Sequence, residues 1–266
     1  MAAGEIVSDT GSAPPAVGRG YRHWLASYLA MLRFDIASQR TWLPMFVLTQ
    51  VLFGAGMAVI YGFYLGPMAP QEALFIVSGA PAIAAIAAAV IGVSSMVTER
   101  KVAGTWDFIW SLPVPRSAVV ASTLTVYTAM TIPGVVATLA LAAWRYDVHL
   151  SLSPVAALDF VLAALMATSM GFGLALAIRD PLVTNAVLNA LIFLVLLFSP
   201  VVYPITQLPG WLAGAHRVLP FYYLAQVMRA GVTTGLVHGL GTAYAVLAAW
   251  TVAAWAASAW VIGRRR

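Results

Sequence analysis

Six stretches of this 266-residue chain stay apolar for about 20 residues or more, the length an α-helix needs to cross about 30 Å of hydrocarbon. They cover residues 43–65, 73–97, 118–144, 155–178, 182–203 and 240–262. Polar residues gather in the joints between them, and two of those joints are long. The pattern predicts an all-α integral membrane protein with six transmembrane helices.

Residues 21–40 are too polar for the hydrocarbon, yet they are ordered. Tyr21, Leu25, Tyr28, Leu32 and Ile36 recur at steps of three and four, while Arg22, Arg33 and Arg40 fall elsewhere around the wheel. This predicts an N-terminal amphipathic helix in the membrane interface, with Trp24 and the tyrosines at headgroup depth. A solvated linker helix is the competing reading. Residues 204–239 are too long for a tight loop and too interrupted for a span, being broken by Pro204, Pro209-Gly210, Gly214 and Pro220. With the interface-loving aromatics Trp211, Phe221, Tyr222 and Tyr223, the segment reads as one or two short helices dipping into the outer leaflet. A plain extracellular loop is the alternative. Residues 1–20 are rich in Gly, Ala, Ser and Pro and lack the basic, apolar and cleavage regions of a signal peptide. They read as a disordered cytosolic tail before a single transmembrane domain over 21–266.

Charge sets the orientation. If the spans alternate, Arg19, Arg22, Arg33, Arg40, Arg100, Lys101, Arg116, Arg179 and Arg264 to Arg266 fall on one side. Only Arg145, Arg217 and Arg229 fall on the other, and an odd number of spans would destroy that eleven-to-three split. The positive-inside rule then puts both termini in the cytosol of a cell bounded by the plasma (inner) membrane. The chain is 62% hydrophobic and 9% charged, whereas soluble domains are near a quarter charged. Lipid must therefore be the solvent for most of it. A basic patch for nucleic acid is not what these charges form.

Several chemistries are missing. There is no cysteine, so disulfides, thiolate metal sites and cysteine nucleophiles are excluded. The only lysine, Lys101, stands between Glu99-Arg100 and Val102-Ala103, so no P-loop exists to hold nucleotide phosphates. None of His23, His149, His216 and His238 lies in a predicted span, and no metal-binding motif is present. The span interiors hold almost no ionisable residues, which argues against a proton relay. Asp159 and Glu72 sit at outer span ends and read as interfacial. What the spans do hold is uncharged polarity: Thr184, Asn185, Asn189 and Ser199 in the fifth, Thr49 and Gln50 in the first. These residues either hydrogen-bond neighbouring helices or line a pathway for a substrate's polar groups.

The joint between spans two and three holds Glu99-Arg100-Lys101, Gly104-Thr105, the run Trp106-Asp107-Phe108-Ile109-Trp110-Ser111-Leu112 and the turn Pro113-Val114-Pro115-Arg116. It resembles the cytosolic loop of the ABC transporter type 2 membrane subunits. In that family a Glu-Arg pair, Gly-Thr, a short helix and a Pro-x-x-Arg turn lead into the third span. Ser199-Pro200-Val201-Val202-Tyr203-Pro204 and Leu219-Pro220-Phe221-Tyr222 are similar to its later motifs, although the family usually has Asn before that last proline.

The resemblance implies a permease that pairs with a second permease above two ATP-binding-cassette ATPase subunits, which bind the ATP and magnesium. The short helix 106–112 would dock on the ATPase through Trp106, Phe108, Ile109 and Trp110, with Glu99, Arg100, Lys101 and Asp107 setting charge complementarity. A tryptophan pair lying in the headgroups is the competing reading. Pro204, Pro209, Trp211, Phe221 and Tyr222 would form an outer gate. The expected cargo is amphiphilic: drugs, lipids or lipid-linked glycans. A membrane scaffold and an ion-coupled carrier are the alternative functions.

Overall fold

The computed structural model describes residues 20–65, 69–237 and 239–264, and the expected N-terminal tail lies almost wholly outside them. Among the described residues there is no strand, and six helices are long and apolar enough to cross a membrane. The helices are α1 (Tyr21–Gln39), α2 (Leu43–Leu65), α3 (Pro70–Ala87), α4 (Ser94–Val102), α5 (Thr105–Ser111), α6 (Arg116–Tyr146), α7 (Ala156–Ala177), α8 (Pro181–Phe198), α9 (Gly210–His216), α10 (Pro220–Val232) and α11 (Leu240–Arg264).

Span one coincides with α2, but span two is longer than its apolar run. It comprises α3, a π-helical turn at Ala88–Val93 and α4, a continuous 33-residue helix from Pro70 to Val102. At 1.5 Å per residue that is about 50 Å, well beyond the hydrocarbon thickness. Its last turns, with Glu99, Arg100 and Lys101, therefore stand clear of the apolar layer instead of forming a loop. Span five is shorter than expected. It starts at Pro181, where Asp180 caps the helix by accepting from the amides of Leu182 (2.7 Å) and Val183 (3.3 Å). It stops at Phe198, and Ser199 to Tyr203 are not helical.

α1 is helical as expected, but it turns the other face inward. Ser27, Met31, Asp35 and Gln39 are buried, while Tyr21, Leu25 and Ile36 are exposed. In water that arrangement would be inverted. Beside a bilayer, the apolar stripe can face lipid and the polar stripe must find partners in the protein. It finds them on α6: Asp35 Oδ2 accepts from Ser122 Oγ (3.2 Å) and Thr123 Oγ1 (3.0 Å). At the edge of the stripe, half-buried Trp24 donates from Nε1 to Ser117 Oγ (3.0 Å), and the Tyr28 hydroxyl donates to Thr125 Oγ1 (3.1 Å).

Two apolar cores result. The larger joins α3, α6, α7, α10 and α11 around Ile83, Met166, Leu224 and Met228. The smaller sits at the α4–α5 end, around Phe46, Trp106, Ile109, Tyr127 and Phe172. Between them the π turn lies against α7 at Gly171, where any Cβ would collide with the Ala89 carbonyl oxygen. The Ser94 hydroxyl lies within hydrogen-bond distance of both the Ala89 (3.2 Å) and Gly171 (3.0 Å) carbonyls.

Candidate functional site: the helical elbow and the cleft beside it

α4 ends in a turn that only glycine adopts without strain: Gly104 has φ +69°. The chain reverses there and enters α5, placing a short helix across the end of span two. Trp106 decides how α5 sits. It is 2% exposed, donates from Nε1 to the Val97 carbonyl (3.2 Å), and stacks on Trp110 with ring centroids 5.4 Å apart. Phe172 of α7 meets its edge at 6.0 Å. Trp106 and buried Ile109 therefore anchor α5 to its own chain and offer nothing to a docking partner in this conformation. The surface α5 presents outward is Asp107, Phe108 and Ser111, with Glu99, Val102 and Ala103 of the elbow beside it. Phe108 is 59% exposed.

The elbow's charges are divided in the same way. Arg100 is 7% exposed, and its Nη1 contacts Asp35 Oδ1 at 2.7 Å. Asp35 Oδ2 accepts from Ser122 Oγ (3.2 Å) and Thr123 Oγ1 (3.0 Å), so both carboxylate oxygens have partners. The guanidinium also lies 5.9 Å from the ring centroids of both Trp106 and Tyr127. Lys101 donates to the carbonyls of Ala175 and Ile178, the latter at 2.7 Å, closing the C-terminal end of α7. Only Glu99 and Asp107 of the expected charge set face outward, and Arg116 is exposed with its guanidinium 5.7 Å from the Trp110 ring centroid. The result is a rigid joint: α5 is tied through Trp106 to span two, and span two through Arg100 and Lys101 to α1, α6 and α7.

The polar residues of span five separate. Thr184 is buried and donates to the Asp180 carbonyl (2.8 Å), and Ser199 is buried at the far end. Asn185 and Asn189 are exposed on the outer face of α8, where Asn189 Nδ2 donates to the Asn185 carbonyl (2.8 Å). Asn185 shares a 480 Å³ cleft with Thr49 of α2 and Ser95 and Glu99 of α4, floored by the π turn at Ile91 and Gly92. Gln50, the other polar residue of span one, turns away to the carbonyls of Phe46 (3.3 Å) and Met130 (3.5 Å).

At the opposite end, residues 204–232 form a 3-10 turn at Ile205–Gln207, then α9 and α10. Pro204, Pro209 and Trp211 are exposed, Tyr222 is half-buried and Phe221 is buried. α10 packs among α3, α7 and α11. Arg229 fastens it, being 2% exposed and donating to Val201 O (2.6 Å) and Ser78 Oγ (3.1 Å). Asp159, expected at the interface, is fully buried; its Oδ1 accepts from the Tyr244 hydroxyl (2.6 Å), and its Oδ2 has no partner. The sequence carried no signal for Asp35 as the partner of Arg100, or for Arg229 as a latch. Each acts on residues 28 to 151 positions away.

A comparison against curated protein sequences finds no match. The sequence model of the ABC-2 type transporter family matches residues 27–233, which takes in most of α1, the elbow, the cleft and the α9–α10 hairpin. This chain belongs to the ABC-2 type transporter family, whose members are the membrane components of ABC transporters.

Proposed function

We propose that this chain is the permease subunit of an ATP-driven exporter of amphiphilic compounds in the plasma (inner) membrane, paired with a second permease and energised by two ATP-binding-cassette ATPase subunits. The observation that carries the reading is the elbow. A short helix with an exposed Phe108 and exposed acids crosses the end of span two and is tied rigidly to three other helices. Force applied to α5 is delivered to the floor of the cleft, because α4 continues through the π turn into α3. The cleft offers an amphiphile apolar walls from Phe46 and Met96, with polar partners from Thr49, Ser95 and Asn185. The eleven-to-three split of basic residues puts the elbow in the cytosol, where ATP is. Pro204, Pro209, Trp211, Phe221 and Tyr222 lie at the other end of the bundle and serve as its outer gate.

The docking surface is narrower than the motif: Phe108 and Asp107 with Glu99 and Val102, while Trp106, Ile109, Trp110, Arg100 and Lys101 hold the elbow's shape. Affinity-tagged protein drawn gently from native membranes is expected to bring an ATPase whose hydrolysis rises with amphiphile. Phe108→Glu is expected to lose that partner while the chain's own elution profile is unchanged, and Asn185→Leu to keep the partner but lose the stimulation. A chain that elutes alone and inactive overturns the proposal in favour of a scaffold. Loss of transport in Asp159→Asn, with the ATPase still bound, points instead to an ion-coupled step.

A further inference from the structure

α1 and α6 are zipped together at Trp24–Ser117, Tyr28–Thr125 and Asp35–Thr123, and then they part. Where they part they leave an open cleft of 370 Å³, within the size range of ligand sites. Leu32 and Ile36 of α1, Leu43 of α2, and Val126, Ala129 and Pro133 of α6 line it, so its wall is almost wholly apolar. Arg40, exposed at the end of α1, lines the same cleft.

The depth of each part follows from helix register. Gln50 of α2 is level with Gly134 of α6, where an added Cβ would lie 2.7 Å from Gln50 Cβ, and its side-chain amide reaches back to the Met130 carbonyl. Leu43 is seven residues earlier, about 10 Å towards the end of the span. Arg40 precedes it and thus lies at the membrane boundary. From Thr125 to Pro133 the cleft runs inward along eight residues of α6, about 12 Å into the hydrocarbon. A guanidinium at the boundary followed by an apolar trough running inward matches the layout of a phospholipid, with its phosphate outermost and its chain inward. Arg22 and Arg33 on α1 add positive charge on the same side, which favours an anionic headgroup.

We propose that the cleft between α1 and α6 is a binding site for one anionic phospholipid, its phosphate on Arg40 and an acyl chain along Ala129 and Pro133. The bound lipid wedges the α1–α2 corner against α6. The site is separate from the Thr49–Asn185 cleft on the other side of α2, so it belongs to the surrounding bilayer and not to the cargo path.

The test is photolabelling of the full chain in phosphatidylcholine vesicles, with a trace of phosphatidylglycerol bearing a diazirine on its acyl chain. Label is expected on the peptides spanning 32–43 and 125–133. Unlabelled phosphatidylglycerol is expected to displace it about fivefold better than phosphatidylcholine, the factor that one arginine near a membrane surface supplies. Arg40→Gln should abolish that preference while label remains, and Ala129→Phe should remove label from both peptides. The proposal fails if these peptides carry no more label than the exposed face of α11 at Val252 and Trp255. It fails also if Arg40→Gln leaves the preference unchanged, if inorganic phosphate displaces the label, or if the peptides cross-link to a second copy of the chain. Arg40 is exposed, so its variant keeps the test decisive even if Ala129→Phe does not fold.

Discussion

Two buried arginines hold the two ends of this molecule, and they are held differently. Arg100, at the elbow, has a carboxylate: Asp35 takes it at 2.7 Å and is itself satisfied by Ser122 and Thr123. Arg229, on α10 of the α9–α10 hairpin, has none. It donates to a serine hydroxyl and the Val201 carbonyl and lies 3.5 Å from the centroid of the Phe75 ring. Desolvation lowers its pKa to about 9, so it still carries its charge at neutral pH. The lesson lies in what each end can release. Separating Arg100 from Asp35 strands two opposite charges, whereas withdrawing Arg229 strands one charge and leaves only neutral acceptors behind. The elbow is therefore the more firmly fixed of the two joints, and the α9–α10 hairpin is fastened at lower cost.

Four substitutions test that contrast, each read by thermal unfolding of the detergent-solubilised chain. Arg100→Leu leaves Asp35 charged, buried and without its cation, and should cost about 3–5 kcal/mol. Arg229→Met leaves the Val201 carbonyl and Ser78 without a donor and should cost about 2–3 kcal/mol. A cost equal to or above that of Arg100→Leu would break the comparison. Gly79→Ala should cost about 1–3 kcal/mol, because its Cβ collides with the Val201 carbonyl and comes within 3.2 Å of Arg229 Nη2. It should also loosen the hairpin towards proteolysis at 204–217 without disturbing the elbow. Smallest is the paired change Asp35→Leu/Arg100→Leu, expected within about 1 kcal/mol of the parent, since removing both members of a buried pair is often close to neutral. If the double variant retained stability but lost ATPase coupling, the ion pair would be confirmed as a transmission element and not merely a stabiliser.

The spans were legible because each is a long apolar run, and α2 begins at Leu43 as its apolar run does. Hydropathy reports how much of a helix is apolar and says nothing about where a helix stops once it leaves the lipid. For that reason Thr98–Val102 read as loop although it continues span two, and Ser199–Tyr203 read as span, being largely apolar, although they are not helical. The elbow's position was legible from its Gly-Thr and Pro-x-x-Arg turns, but its inner and outer faces were not. Trp106 and Phe108 are two positions apart and equally apolar in sequence. Only contacts with Val97 and Phe172, from other elements, send one inward and leave the other out. Asp35 was hidden for a related reason: a lone acid on a helix has no periodic signature, and its partner is 65 residues away.

The π turn at Ala88–Val93 carries a consequence for the chain's tolerance of change. A π turn holds a residue more than the α-helix that would replace it, so deleting one residue there lets the span relax into a regular spiral. Because the extra residue is taken up within that turn, everything beyond the deletion keeps nearly its rotation and height, whereas the same deletion in plain α-helix would swing it by about 100° and draw it in by about 1.5 Å. Arg100 would then still meet Asp35, Lys101 the end of α7 and Trp106 the Phe172 ring, whereas a deletion within α4 would part all three. Membrane helices absorb insertions and deletions at their ends, but this span can also lose one residue at its centre without a change of phase.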